Sequence, residues 1–489
     1  MPGQKKAAFL TATLDFDVAS VRYRAIYPAL ALERAGWLCE LHPGPRTLRG
    51  RIEDFDVLIV VKLLDGGVVD VVAEAMDTDV PVVLDLCDDL LSRDYRSRLH
   101  SLHRLTMEAI GPDISRIVTT GPYLSRLLHA RGIDPALMRI APDCVETDAD
   151  VVAAKTFAKT RAAPEATLTA AAISAAVGAR RLQKNVLRAA GRAYGAVRHP
   201  LRAVKTLRAM ADERRAGGRP ESGMARAEES GEAALSLVGK SVIWFGNHGG
   251  PHSDFGVLTL LRIARELRAA HARAPFTLVV VSNDVEKFRL FIPAIGVPSI
   301  FVKWTHEMQA RLLERASACV MPVGEDAFSQ SKSSNRALLA LQKGVPVVAQ
   351  SLESLEPLKD CISIDDVEEG LVRALTDPQA VRADIERGRK IIEERFSLRA
   401  VGETWAAILE DAIAQAPKRH LLTRSSPEKL LVLIALLQDI DIAFPVIDEA
   451  RKRGLEVAVI ADLAPDRAKQ ACRAVGWDDA RIAATRFTD

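Results

Sequence analysis

A lysine and three small polar residues in the second half of the chain have the types and spacing to bind a doubly charged anion. Lys332, Ser333, Ser334 and Asn335 follow the apolar run ACVMPV and a loop, and a helix is predicted to begin near Ser333. The free N–H groups and the dipole at the start of a helix attract an anion, and Lys332 and Arg336 add positive charge. The expected ligand is a diphosphate, and an ordinary serine N-cap is the alternative interpretation.

Basic side chains also follow strands that are predicted in the first part of the chain. Arg22 and Arg24 flank Tyr23 after the first strand and just before a helix, and Lys62 closes the apolar run DVLIVVK. Ligands of open parallel sheets bind beyond the carboxyl ends of the strands. These cations are therefore candidates to bind a phosphate group or an acceptor, with a solvated pair of arginines as the alternative for Arg22 and Arg24.

Two aspartates end the next predicted strand, PVVLDLCD. Asp88 and Asp89 stand at its carboxyl end, where a carboxylate could deprotonate the hydroxyl of an acceptor. A helix N-cap is the alternative role for either side chain. Adjacent side chains usually point apart, so the sequence predicts no metal site at this pair.

Two series of alternating strands and helices must position these residues. Continuous Val/Ile/Leu runs separated by helical stretches occur over residues 7 to 145 and again over 241–417. Such runs predict parallel sheets that are buried on both faces. We therefore predict an α/β fold with two Rossmann-like domains, 1–149 and 241–417, that face each other across a cleft.

The segment 150–240 has a different composition. It is rich in alanine and arginine, with 15 lysines and arginines against three acidic residues between positions 155 and 219. We predict two basic helices over 180–215 and a flexible linker over 216–234. The basic helices fit peripheral contact with an anionic membrane, and a solvated insert or an arm that grips a polyanionic glycan remains open.

The last segment, 425–489, reads as β-α-β-α, which is half of a third Rossmann-like unit. This unit either packs on an earlier domain or is completed by a partner or a longer parent chain.

Composition excludes several classes of protein. The 489 residues carry a net charge of only +2, which argues against a globally basic nucleic-acid binder. The six cysteines form no C-x-x-C pair, so a disulfide framework or a zinc ribbon is not expected and a cytoplasmic location is. No apolar run is long enough to predict a membrane-spanning helix.

Several motifs together resemble the GT-B glycosyltransferase superfamily, especially its retaining group-1 type. The resemblance covers about residues 7–145 and 241–415. Its motifs are SVRYRAIYPALALERAGW, SVIWFGNHGG, FVKWTHEMQARLLERASACVMP, ALQKGVPVVA and RFSLRAVGETWAAIL. They resemble, in that order, the acceptor-domain loop and helix, the first glycine loop of the donor domain, its base-binding strand and helix, its diphosphate segment and its closing helix.

The resemblance implies further donor-binding residues. Gly246 and Asn247 lie in the implied glycine loop, and Lys303 and Trp304 end the implied base-binding strand. Trp304 would stack on the nucleobase, or it is a core aromatic residue. Lys332 and the residues 333–335 then neutralise the diphosphate without a metal.

The sequence departs from the family at one important pair of positions. Group-1 enzymes usually carry two glutamates eight positions apart in the diphosphate segment, and the aligned positions here hold Ser331 and Leu339. A carboxylate from the preceding loop, Glu325 or Asp326, is a candidate replacement.

The resemblance implies a glycosyltransferase that moves a sugar from a nucleotide-diphosphate sugar to a glycan or lipid-linked acceptor. It would work in bacterial surface-polysaccharide synthesis, in the cytoplasm at the inner face of the membrane, with no cofactor besides its co-substrate and with no nucleic acid. The alternatives are a catalytically degenerate scaffold that binds glycans or nucleotides, and a sugar-nucleotide epimerase, which the acceptor-like N-terminal loop disfavours.

Overall fold

The fold is described from a computed structural model over residues 4–91, 100–163, 239–246 and 256–415. In addition, it gives the strands Ala225–Glu228, Lys429–Leu430 and Glu456–Val457. The basic segment 180–215, Asn247 and most of the tail 425–489 lie outside the described residues.

Six parallel strands form the first sheet, and their spatial order is β2-β1-β3-β4-β5-β6. The strands are β1 Lys6–Thr11, β2 Leu38–Pro43, β3 Val57–Val61, β4 Val82–Leu86, β5 Ile114–Thr119 and β6 Met138–Ile140. The central strands β3 and β4 are buried at every position, because helices cover both faces of the sheet. The connection order reverses between β1 and β3, which is where ligands bind in such sheets.

The second sheet is also parallel and has seven strands in the order β13-β12-β11-β8-β9-β10-β7. They are β7 Ala225–Glu228, β8 Ser241–Phe245, β9 Thr277–Ser282, β10 Ser299–Lys303, β11 Ala318–Met321, β12 Val347–Ala349 and β13 Ser363–Ile364. The order reverses between β8 and β11. The two predicted Rossmann-like domains are confirmed, and we call them the N-terminal and C-terminal lobes.

The helices pack on the faces of the two sheets. In the N-terminal part they are α1 Ala19–Val21, α2 Tyr27–Arg34, α3 Gly66–Asp77, α4 His100–Ile110, α5 Pro122–His129 and α6 Asp148–Arg161. In the C-terminal part they are α7 Ala264–Arg273, α8 Val285–Phe291, α9 His306–Leu313, α10 Ala327–Gln330, α11 Asn335–Gln342, α12 Val367–Thr376, α13 Pro378–Arg395 and α14 Leu398–Ala414. A π-helical turn, Arg22–Ile26, joins α1 to α2. Short 3-10 helices are Pro45–Thr47, Ile52–Asp54, Gly111–Asp113, Pro135–Leu137, Gly256–Ile263, Ile292–Ile295 and Glu353–Leu358.

The structure moves three of the predicted domain boundaries. Strand β7 lies inside the predicted flexible linker 216–234 and pairs with β10. Helix α6 spans the predicted boundary at 149 and buries Phe157 in the core of the N-terminal lobe. Helix α14 also joins that core, where Trp405 packs against Phe9, although the sequence places the helix in the C-terminal domain. Long-range packing decides these positions, and local patterns do not report it.

Residues 418–489 form a second compact unit, of which two strands are described. β14 Lys429–Leu430 and β15 Glu456–Val457 pair in parallel, and both lie in segments that were predicted as strands.

Candidate diphosphate site between the lobes

The start of helix α11 lies where the connection order of the second sheet reverses. The chain leaves β11 at Met321 and enters α11 at Asn335, two residues later than the sequence predicts. Ser334 is buried at the N-cap position, but its side chain makes no capping hydrogen bond, so the serine-cap alternative is not what the structure shows. The first N–H groups of α11 are the ones that a helix leaves without intrahelical partners.

Arg336 links this helix start to the end of β8. Its Nη1 lies 3.4 Å from the carbonyl oxygen of Phe245, and Gly246 follows directly. A side-chain carbon on Gly246 would lie 3.4 Å from the same Nη1, so the guanidinium packs closely against the strand end. Arg336 is half-buried, burial lowers its pKa, and no carboxylate among the described residues forms an ion pair with it. A cation in this position is best satisfied by an anionic ligand.

Asp88 of the N-terminal lobe lies opposite the helix start. Its carboxylate forms ion pairs with both Lys332 and Lys62. Burial opposes ionisation, but the charges of Lys332 and Lys62 outweigh burial and lower the pKa of Asp88 to about 2. Three predicted site residues are therefore brought together across the cleft.

Asp143 makes a second contact with the helix start. The Ser333 hydroxyl donates to Asp143 Oδ2 at 2.6 Å, and Arg24 Nη1 donates to Asp143 Oδ1 at 3.1 Å. The Arg24 guanidinium also forms a buried ion pair with Asp85. Because Arg24 is fully buried and its N–H groups are used inside the lobe, it is not available to a phosphate or an acceptor, and that prediction is wrong.

Arg22 has a similar structural role. Its guanidinium pairs with Glu146, which is also 3.1 Å from Nε2 of His306 at the start of α9 in the C-terminal lobe. An ionised carboxylate can only accept, so the His306 Nε2 carries the proton. Burial opposes ionisation of Glu146, but the His306 hydrogen bond and the Arg22 charge lower its pKa below the usual value. Arg22 is therefore engaged in a buried ion pair with Glu146 and is not available to bind phosphate.

Asp143 and Glu146 are site residues that the sequence did not predict. Both follow β6 in the segment PDCVE, at the carboxyl edge of the first sheet. The available signal was a strand predicted over MRIAPDCV, which contains Asp143 near its carboxyl end and directly precedes Glu146. The same rule selected Asp88 and Lys62.

The two other candidate carboxylates each have a cationic partner. Asp89 is fully buried and forms an ion pair with Arg131. The side chain of Glu325 is 87% exposed and pairs with Arg262. Burial and the Arg131 partner leave Asp89 unable to contact a substrate, so its predicted catalytic role is wrong. A catalytic role for the exposed Glu325 stays a prediction.

The residues after β10 divide between surface and core. Lys303 is exposed, whereas Trp304 packs partly buried against the C-terminal core. The Trp304 Nε1 donates to Gln309 Oε1 at 2.7 Å. This favours the core interpretation of Trp304 over stacking on a nucleobase. Leu339, at a family glutamate position, is likewise buried in the core.

Two features are absent from the part of the chain that the structure describes. No group of three or more histidine, cysteine or carboxylate side chains there is arranged to hold a metal ion. Over the same residues, no helix is both long and apolar enough to cross a bilayer.

Solved structures share the two-lobed architecture, which defines the GT-B fold. HepE from Anabaena, in complex with UDP and glucose, superposes with a TM-score of 0.52 at 11% identity, over 83% of this chain and 100% of that chain. The same protein in complex with UDP-glucose gives a TM-score of 0.50 at 12% identity, over 83% of this chain and 99% of that chain. No protein-family model and no curated protein matches the sequence.

Proposed function

We propose that this protein is a glycosyltransferase that moves a sugar from a nucleotide-diphosphate sugar to a glycan or lipid-linked acceptor. The observation that carries the proposal is the start of α11, where Lys332 contacts the opposite lobe and Arg336 packs at the end of β8, both beside the first N–H groups of the helix. The GT-B fold supports it, because HepE, with the same fold, was crystallised with UDP-glucose.

The chemistry requires a diphosphate leaving group to be neutralised while an oxocarbenium-like centre forms. In the proposed enzyme the N–H groups of α11, Arg336 and Lys332 stabilise the charge that develops on the diphosphate. These fixed cations and dipoles would make the site independent of a metal. Lys62, which pairs with Asp88 on the opposite wall, would bind the acceptor or a phosphate, and Asp88 would take the acceptor proton.

The cellular role is a further part of the proposal. The predicted basic helices 180–215 would hold the protein at the anionic inner face of the membrane, where a lipid-linked acceptor is found. Synthesis of a bacterial surface polysaccharide in the cytoplasm fits such an acceptor.

A degenerate GT-B scaffold is the second candidate. One observation that favours it is that Lys332 is paired with Asp88 and the Ser333 hydroxyl donates to Asp143. The other is that Ser331 and Leu339 stand at the positions of the family glutamates. Such a protein would bind a glycan or nucleotide without turnover.

Nucleotide binding and turnover test both candidates. We expect one of a panel of nucleoside diphosphates to bind, and Lys332→Ala to weaken its binding about tenfold, as expected for losing one charge-assisted contact. Lys359→Ala, which removes an exposed lysine paired with Glu356, is the matched control and should bind as the wild type does.

Calorimetry measures the affinities, and release of nucleotide from nucleotide sugars measures turnover. Unchanged binding in Lys332→Ala would show that the diphosphate site is wrong. Binding without turnover, across the nucleotide sugars and with added acceptors, would favour the scaffold.

A further inference from the structure

The N-terminal lobe already places an anion on the lysine that is proposed to bind the diphosphate. Asp88 and Lys332 are 244 positions apart in the sequence, yet their side chains form an ion pair between the lobes. The Asp88 side chain is only 12% exposed, whereas Lys332 is 37% exposed and can be reached from solvent. The lysine is thus both engaged and accessible.

A diphosphate and Asp88 compete for this lysine on electrostatic grounds. The Lys332 ammonium has three N–H groups, but two anions bound to it would lie only a few ångströms apart and repel each other. Asp88 has a second cation, Lys62, on its own lobe and therefore keeps a partner if Lys332 leaves. Lys332 can likewise exchange a carboxylate for a more highly charged group.

We propose that Asp88 is a built-in competitor of the nucleotide diphosphate, which takes Lys332 from Asp88 and leaves the carboxylate with Lys62 alone. This inference rests on the proposed function, because it assumes that the diphosphate site is at Lys332. It adds that, before a nucleotide binds, Lys332 is paired with a carboxylate of the N-terminal lobe.

The exchange has a consequence for the order of events. With both lysines in contact, Asp88 is a very weak base, since its pKa lies at about 2. Loss of one of these two cations raises the pKa of Asp88 and makes it a better acceptor of a proton. Donor binding thus prepares the base that the acceptor needs.

A double-mutant cycle measures the competition. The ligand is whichever of the uridine, guanosine, adenosine, cytidine and thymidine diphosphates binds the wild type most tightly. We expect Asp88→Asn to bind it roughly two- to fivefold more tightly, the range for releasing one partly exposed ion pair. When Lys332 is already alanine, the same Asp88→Asn change should alter the affinity much less, because the contested cation is gone.

Glu353→Gln is the matched control. Glu353 pairs with Arg126 of the other lobe, so this variant also removes one negative charge and one ion pair between the lobes, but away from α11. Tightening in Asp88→Asn but not in Glu353→Gln supports competition at Lys332. An equal gain in affinity in both variants would mean that the loss of an ion pair between the lobes is the cause. That result would overturn the inference.

The outcomes separate this inference from the proposed function. If Lys332→Ala weakens binding but Asp88→Asn does not tighten it in a protein that melts normally, the competition fails and the diphosphate site stands. If Lys332→Ala binds as the wild type does, both fail together.

Discussion

At the scale of single residues, the decisive feature is which charged groups already have an opposite charge as a partner. Arg22 and Arg24 pair with buried carboxylates, whereas the side chain of Arg336 hydrogen-bonds to a carbonyl oxygen and forms no ion pair with a described carboxylate. A guanidinium that is half-buried without a carboxylate is held at a free-energy cost. Such groups are typical of sites whose partner is a ligand.

Replacing Arg336 tests this interpretation. Arg336→Met should weaken nucleotide-diphosphate binding about tenfold or more and raise the free energy of unfolding by about 1 kcal/mol, because an unpaired cation leaves the interior. Urea denaturation and calorimetry check the two effects.

Arg389→Met is the control for the Arg336 variant at the other end of α11. The Arg389 guanidinium donates to the carbonyl oxygens of Leu341 and Gln342 and thereby caps the end of the helix. Its removal should lower stability and leave nucleotide binding unchanged. If Arg336→Met behaved in the same way, Arg336 would be a structural residue.

A buried histidine makes the stability of the N-terminal lobe depend on pH. His42 is fully buried, and burial together with the charge of Arg51 lowers its pKa from 6.5 to about 4. Glu40 lies 3.4 Å from His42 Nε2 but is itself paired with Arg51, so it does not offset this effect. Between pH 6.5 and 4 the unfolded chain binds a proton that the folded chain does not.

Stability should therefore be complete above pH 6.5 and should fall as the pH drops from 6.5 to 4, by about 2–3 kcal/mol for this group. In His42→Gln the fall over this range should be smaller by that amount, whatever the variant's stability at pH 7. Denaturant unfolding at several pH values measures it. His129→Gln removes an exposed histidine, and its pH profile should follow the wild type; identical slopes in all three proteins would contradict the prediction.

At the scale of elements, helix α14 follows the C-terminal lobe in the sequence but packs in the core of the N-terminal lobe. Gly402 allows the contact, because a side-chain carbon there would lie 2.6 Å from Cβ of Ala31 in α2. Neither helix can yield easily, since both contribute to the same core. The close approach of α2 and α14 therefore requires a residue without a side chain.

Gly402→Ala should lower the free energy of unfolding by about 1–3 kcal/mol through overpacking, although alanine is the better helix former. Gly388→Ala in α13 is the matched control. Its new carbon would meet Cδ1 of Leu341 at 3.1 Å, and that flexible methyl group can move. Thermal or urea denaturation should show a loss for Gly402→Ala only; equal stability of the two variants would contradict the packing argument.

At the scale of the whole molecule, polar contacts join the two lobes around the proposed site. Asp88 pairs with Lys332, Ser333 with Asp143, His306 with Glu146, Asp148 with Lys343 and Arg126 with Glu353. Three of these pairs involve residues that follow β4 or β6 at the carboxyl edge of the first sheet. A ligand that binds at Lys332 or Ser333 therefore competes directly with contacts between the lobes.

The sequence by itself determined the two-lobed architecture and the start of α11. Strands of a parallel sheet are buried on both faces, so they consist of continuous Val/Ile/Leu runs. Such runs can be recognised in the sequence without knowing which strands pair. Helix α11 begins within two residues of its predicted start, because a strand, a polar loop and an amphipathic run follow one another along the chain. The short helix α10 lies within the predicted loop. These signals are local.

Only the tertiary structure decided which charged residues face the cleft. Arg24 and Asp89 had the right types and stood near the ends of strands, but both are buried and paired with a charged side chain that is distant in the sequence. Asp88 meets Lys332 across 244 positions, and α14 crosses to the other lobe, through contacts that no short stretch of sequence encodes. The reason is physical: the charge that a side chain can offer a ligand depends on what the rest of the fold has already placed beside it.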